Sequence, residues 1–219
     1  MAQRERVGRN RVARVIREHG ISGSRPRRFK ATTDSAHQLP VAENVVTRDF
    51  SPPQRNRTWA ADITYVRTHN GWLYLAVVID LYSRRVVGWA VADHMRTELV
   101  LRALNMAVIA RNLPAGLVMH SDRGSQYASR KHRETLERHG MICSISRKGD
   151  CWDNAVVDSF FGTLKQELIY RHTWPTRLAV TDAVRSYIEC FYNVRRRHSA
   201  IGYVSPLEFE MPPRVSMAA

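Results

Sequence analysis

The sequence predicts an α/β fold with a mixed five-stranded sheet and helices on both faces. Three successive segments rich in valine and aromatic residues are separated by short turns, which is typical of an antiparallel meander. Two further short apolar segments alternate with helical patterns, which is typical of parallel strands joined by helices. The length of 219 residues suits one substantial domain with extensions.

The strands are predicted over residues 59–67, 72–80, 85–92, 117–120 and 141–145. Asn70-Gly71 is a strong hairpin signal, because both residue types accept the positive φ angles of tight turns. The helices are predicted over residues 96–111, 128–139, 154–170 and 176–193. Their apolar residues recur at helical spacing.

The chain is predicted to divide into a basic helix, a linker, a core and a basic tail, over residues 1–21, 22–57, 58–193 and 194–219. The basic helix is too short to fold alone. It is either a DNA-contacting element or a solvated basic arm. The linker has no clear periodicity and contains scattered Ser, Thr, Pro and Arg residues.

The charge is strongly positive, with 34 Lys and Arg against 20 Asp and Glu and a net charge of +14. This imbalance favours a polyanionic partner over a merely basic soluble protein. Three cysteines without a Cys-x-x-Cys pair argue against structural zinc and against a disulfide framework. The sequence has no secretory signal and no apolar run of membrane-spanning length, so we expect a cytosolic protein without a membrane partner.

Three aspartates stand where a catalytic site is expected. Asp62 lies inside a strand, where acidic residues are rare, and Asp122 follows the strand that ends at His120. Asp158 lies near the start of a long helix. Each alone has an ordinary explanation as a cap or a solvated charge. Together they can hold two divalent ions about 4 Å apart, the arrangement that catalyses phosphoryl transfer.

Several longer segments carry a specific resemblance: WAADITY at 59–65, GWLYLAVVIDLYSRRVVGW at 71–89, HSDRGSQY at 120–127, DNAVVDSFFGTLKQE at 153–167 and YNVRRRHSAIGYVSPLEF at 192–209. In this order they resemble the catalytic subunit of IS-three-type insertion-sequence transposases, which are similar to retroviral integrases. The resemblance implies a ribonuclease H-like fold, the integrase core. It also implies a metal-binding Asp, Asp and Glu, with 35 residues between the last two.

Asp62 and Asp122 match the first two members of this triad, and Asp158 stands at the third position, where the family has Glu. The resemblance implies a DDE-type transposase that cuts DNA at the ends of its element and joins them to target DNA. It implies two Mg²⁺ ions, which Mn²⁺ can replace. We expect the shorter Asp158 to impair this activity. A weakened or inactive DNA-binding remnant is the alternative; a nuclease for RNA–DNA hybrids fits the tail and helix motifs less well.

The resemblance also implies a homo-oligomer on DNA in the bacterial cytoplasm, associated with the nucleoid when bound. The family has a fuller helical region upstream, so an upstream reading-frame product is a further expected partner. DNA contacts are expected at basic residues of the first helix, the catalytic helix and the tail: Arg11, Arg14, Lys165, Arg195, Arg196 and Arg197. Glu167 lies nine residues after Asp158 and is expected to point away from it. Asp80 is expected to cap a turn.

Overall fold

The computed structural model describes residues 7–22, 39–47, 49–147 and 151–211, except the side chains of Cys151 and Trp152. The chain divides into two units, Met1–Lys30 and Ala31–Ala219. In the first unit, α1 spans Arg9–Glu18, and all of its residues are exposed. Gly20 follows this helix with a φ of 58°, as expected of a glycine at a helix end.

The second unit contains a five-stranded sheet in the order β3-β2-β1-β4-β5. The strands are β1 Thr58–Thr68, β2 Gly71–Asp80, β3 Val86–Ala92, β4 Val118–Ser121 and β5 Ile142–Ile145. The first three are antiparallel, and β4 and β5 run parallel to β1. The predicted mixed sheet is therefore confirmed, including the hairpin at Gly71, whose φ is 99°.

The helices of this unit are α2 Thr97–Ala110, α3 Arg130–Arg138, α4 Ala155–Glu167, α5 Arg177–Ser186 and α6 Pro206–Glu210. The long helix predicted over 176–193 is divided, because α5 passes into a π-helical segment, Tyr187–Tyr192. Short 3-10 segments occupy Cys151–Asn154, Ile169–Arg171 and Ser199–Ile201. No helix in the described ranges is both long and apolar enough to cross a membrane.

The sheet separates two apolar layers. One layer includes Trp59, Ala61 and residues of α2 and α3, and the other includes Ala60 and residues of α4, α5 and the π-helical segment. Since successive side chains of a strand face opposite ways, Asp62 shares the face of Ala60. The strand therefore directs Asp62 to the side of the sheet on which α4 packs.

The residues after 193, predicted as a tail, make specific contacts with the sheet region. Directly before them, the side-chain amide of Asn193 pairs with the backbone of Val86 on β3, at 3.0 and 2.9 Å. Glu210 at the end of α6 accepts hydrogen bonds from Ser83 at 2.7 Å, Arg85 at 2.7 Å and Arg111 at 3.0 Å. Its carboxylate is almost fully buried, so the segment is anchored by a buried charge network.

Candidate active site

Asp62 and Asp122 are brought together by the parallel pairing of β1 and β4. Ala60 lies opposite His120 and Ala61 opposite Ser121, so the next residue on each chain is an aspartate. Asp62 accepts a hydrogen bond from the backbone N–H of Ile63 at 2.7 Å. Asp122 accepts one from Gly124 at 3.1 Å, which fixes the turn after β4. Both carboxylates are thus oriented by the local backbone.

The start of α4 is fixed to the same strands by two side chains. Asn154 donates its amide N–H to the carbonyl of Ala61 at 3.2 Å. The buried ring of His120 donates through Nε2 to the carbonyl of Asp153 at 2.9 Å, since a carbonyl can only accept. These bonds place the first turn of α4, which carries Asp158, beside Asp62.

The three carboxylates interact electrostatically. Burial, followed by repulsion from Asp122 and then Asp158, raises the pKa of Asp62 well above its usual value, despite the Ile63 N–H and Lys165. Burial and repulsion from Asp122 raise the pKa of Asp158 to about 6. Negative charge is therefore concentrated here at a free-energy cost, in a chain with a net charge of +14.

Lys165 lies on the same side of α4 as Asp158, as expected from its spacing of seven residues. Burial lowers the pKa of the Lys165 ammonium, whereas Asp62 and Asp158 raise it. Its Nζ also lies 5.5 Å from the centre of the Tyr65 ring. Lys165 thus supplies a positive charge next to two of the three aspartates.

The donor set suits a divalent cation of the magnesium type, because Asp62, Asp122 and Asp158 offer hard carboxylate oxygens at a partly solvent-accessible surface. The buried hydroxyl of Tyr127 has no hydrogen-bond partner among the described residues, and burial, followed by Asp62 and Asp122, raises its pKa. Within the described ranges, no three or more His, Cys, Asp or Glu side chains are yet close enough to hold an ion together. The carboxylates therefore face one another without being gathered to ligand distance.

Comparison with known proteins identifies the family. Two family models described as "Integrase core domain" match residues 52–151 and 139–206. The transposase InsF for insertion sequence IS3A of Escherichia coli is 46% identical over 199 residues, which are 91% of this chain and 69% of that protein. A 31 kDa protein of insertion element IS600 from Shigella sonnei is also 46% identical, over 93% of this chain and 75% of that protein.

The chain belongs to the IS3-type insertion-sequence transposases. Solved structures show the same fold at low identity. One of them is an intasome of simian T-cell lymphotropic virus in complex with a PP2A regulatory subunit. It matches 84% of this chain and 62% of that chain, with a TM-score of 0.61 and 19% identity. The HTLV-2 integrase catalytic core domain in complex with magnesium matches 73% of this chain and 99% of that one. The TM-score is 0.55 and the sequence identity is 16%. The ribonuclease H-like fold is thereby confirmed, and membership implies polynucleotidyl transfer.

Other acidic residues of this transposase are engaged elsewhere. Glu167 accepts a hydrogen bond from the Tyr187 hydroxyl at 2.6 Å and pairs with Arg196 at 3.1 Å, so it points away from Asp158 as expected. Asp80 accepts bonds from the backbone N–H groups of Asn56 and Tyr82, which confirms its role in a turn.

The basic residues predicted to bind DNA differ in their surroundings. Arg195 and Arg197 are exposed, whereas the guanidinium of Arg196 is half-buried and paired with Glu167. In the separate first unit, Arg11 and Arg14 are exposed on α1, and Arg14 pairs with Glu18 at 3.6 Å. Their DNA contacts stay predictions.

Two supports of the site are not visible in the sequence. His120 also bonds to the Ser144 hydroxyl at 2.9 Å, which connects β4 to β5. Asp153 is buried and accepts hydrogen bonds from Arg147 at 3.0 Å and Asn44 at 2.8 Å. The sequence shows His120 and Asp153 within their motifs, but it does not show their partners, because Ser144 and Asn44 lie 24 and 109 residues away.

Proposed function

We propose that this chain cuts and joins DNA by phosphoryl transfer at a two-magnesium site held by Asp62, Asp122 and Asp158. The observation that carries the proposal is that these carboxylates share one site, where burial, followed by their mutual repulsion, raises the pKa of Asp62 and Asp158. Carboxylates that share a site at such a cost are typical of a functional centre. A divalent cation removes the repulsion and takes its preferred oxygen ligands.

The protein's own residues prepare this site. The Ile63 and Gly124 N–H groups orient two of the carboxylates, and Asn154 holds the start of α4 against β1. Lys165 offers its ammonium to a DNA phosphate near the reacting centre. When bound, two magnesium ions activate the attacking oxygen and stabilise the charge on the leaving oxygen.

The reaction we propose has two steps. Water first cleaves a phosphodiester at an element end and leaves a 3′-hydroxyl, and that hydroxyl then displaces a 3′-oxygen within target DNA. Mn²⁺ substitutes for Mg²⁺ in this proposal. The partners are element and target DNA, further copies of this chain and an upstream reading-frame product, in the bacterial cytoplasm. The magnesium complex of the HTLV-2 integrase core supports the choice of metal.

Asp158 sets the level of activity in this proposal. It is one methylene shorter than the glutamate of the family, so its carboxylate falls short by about 1.5 Å. A misplacement of about 1 Å costs on the order of 100-fold in rate, or about 2.7 kcal/mol of barrier. We therefore expect weak strand transfer that Asp158→Glu increases.

The test is metal-dependent joining of labelled oligonucleotides that carry the element's terminal repeats, with the upstream helical region supplied. Asp62→Asn and Asp122→Asn should abolish joining. Asp182→Asn is the matched control, because it removes an exposed carboxylate of α5 that pairs with Arg185. Full activity in both active-site variants would reject the assigned site. A measurable activity that Asp158→Glu leaves unchanged would reject the short-ligand explanation.

An inactive DNA-binding remnant is the second candidate, favoured by the short Asp158, which stands where the family has glutamate. The same experiment separates the two functions. A remnant binds DNA but joins none of it, in the natural sequence and in Asp158→Glu alike.

A further inference from the structure

A cavity lies beside α4, apart from the carboxylates. Its volume of about 520 Å³ is within the usual range of ligand pockets. Its wall includes Ser159, the residue directly after Asp158. The cavity is thus adjacent to the candidate active site but turned by about 100° around the helix axis. Its polar lining comes mainly from the turn after β2 and from the chain after the π-helical segment: Arg84, Arg196, Arg197, His198, Ser199 and Tyr203.

Arg84 is held in this wall at a conformational cost. Its φ of 63° lies in the left-handed region, which side chains other than glycine rarely adopt. Its backbone N–H is fixed to the carbonyl of Asp80 at 2.8 Å. Within the part of the chain that the structure describes, the buried Nη1 of its guanidinium has no hydrogen-bond partner. A strained residue with an unsatisfied buried donor is typical of a binding site.

The loop from His198 to Val204 contributes His198, Ser199, Ala200 and Tyr203 to the lining. It is closed by a β-bridge between His198 and Val204, and the Tyr203 N–H donates to the His198 carbonyl at 2.8 Å. The buried Nε2 of His198 has no hydrogen-bond partner in the described ranges. Tyr203 has a φ of 62° and is 69% exposed, so a second strained residue presents an aromatic ring at this cavity.

The electrostatics of the lining favour an anion. No Asp or Glu is among its described residues. Arg196 is neutralised by Glu167, whereas the structure records no ion pair for Arg197 within the described ranges. Burial, followed by the positive charges of Arg196 and Arg84, lowers the pKa of His198 to about 4, so its ring is neutral at pH 7. Two guanidinium groups and a neutral imidazole suit a phosphodiester.

We propose that this cavity binds one unpaired nucleotide of DNA, with its phosphate on Arg84 and Arg197 and its base on the Tyr203 ring. The inference rests on the proposed function, because the strand would reach the cavity as it leaves the carboxylates. The helix diameter of about 10 Å separates the two places, so the bound nucleotide lies within a few positions of the reacting phosphate. Stacking gives affinity without sequence preference, since every base has an aromatic face.

The test is fluorescence-anisotropy titration, in EDTA, of a labelled single strand of about 16 nucleotides and of the corresponding duplex. Arg84→Gln and Arg197→Gln should each weaken binding of the single strand about 10-fold, the effect of one charge-assisted contact. Tyr203→Ala should weaken it about 5-fold or more and leave duplex binding within about 2-fold. Arg185→Gln is the matched control, because Arg185 is an exposed residue of α5 outside the lining, and it should weaken binding less than about 3-fold.

A second measurement separates direct contact from altered folding. One uncharged methylphosphonate linkage replaces each phosphate of the strand in turn. At one position this replacement should weaken binding by the natural protein about 10-fold but hardly change binding by Arg84→Gln. If the exposed Arg197→Gln weakens binding no more than Arg185→Gln and no linkage shows coupling, the inference is wrong. The binding assay contains no metal, so a negative result in it does not bear on the active site. The active site is tested separately, by the loss of DNA joining in Asp62→Asn.

Discussion

Replacing Asp158 by Asn should stabilise the metal-free protein while destroying its metal site. The rise of the Asp158 pKa from a usual value of about 3.9 to about 6 corresponds to about 3 kcal/mol of unfavourable ionisation. Asp158 is half-buried, and solvent screening reduces this figure, so we expect a gain of about 1 to 3 kcal/mol. For a chain of this size, that is a rise in Tm of about 2 to 12 °C.

The gain should depend on pH in a defined direction. A carboxylate whose pKa is raised by folding destabilises the native state once the pH exceeds its unfolded pKa, and fully so above its folded pKa. The advantage of Asp158→Asn should therefore be complete above about pH 6.5 and shrink progressively as the pH falls from 6 to 4. At high pH, Mg²⁺ should make the natural protein more stable than Asp158→Asn, because it binds only the natural carboxylate set.

The assay is urea unfolding at pH 8 and pH 5, with and without about 10 mM MgCl₂. Asp182→Asn is the control, since this exposed aspartate has no comparable repulsion. Equal stability of Asp158→Asn and the natural protein at pH 8 would refute the electrostatic reasoning. An advantage that persists unchanged at pH 5 would refute it as well.

Three further predictions concern packing, a buried ion pair and metal binding. A methyl group at Gly88 would overlap the Ala103 carbonyl oxygen on α2, so Gly88→Ala should cost about 3 kcal/mol in denaturant unfolding. An added Cβ at Gly162 on α4 would meet open space, so Gly162→Ala should raise the free energy of unfolding by about 0.5–1 kcal/mol. Glu210→Gln should cost about 3–5 kcal/mol by leaving buried Arg111 unpaired, whereas Glu134→Gln on the exposed face of α3 should cost less than about 1 kcal/mol. Calorimetric Mn²⁺ affinity should fall as the pH drops below about 6, because protons compete for the carboxylates; a flat profile would contradict this.

The sequence by itself determined the order of the elements and the place of the acidic residues along them. Alternating apolar residues, the Asn70-Gly71 turn and helical stripes are local signals, and the structure confirms the strands and most helix limits. The residue spacing also sufficed to direct Glu167 away from Asp158 and Lys165 toward it. These results follow from the fixed geometry of single helices and strands.

Tertiary structure decided what each charged side chain does, because its partner comes from a distant segment. Nothing local distinguishes Arg196 from its neighbours, yet Arg196 is neutralised by Glu167, 29 residues earlier. Glu210 looked like part of a basic tail but closes a buried network with Arg111, 99 residues away. Burial and repulsion likewise set the pKa of Asp158 only when β1, β4 and α4 meet. Local sequence fixes direction along an element, whereas solvation and charge pairing depend on the assembled neighbours.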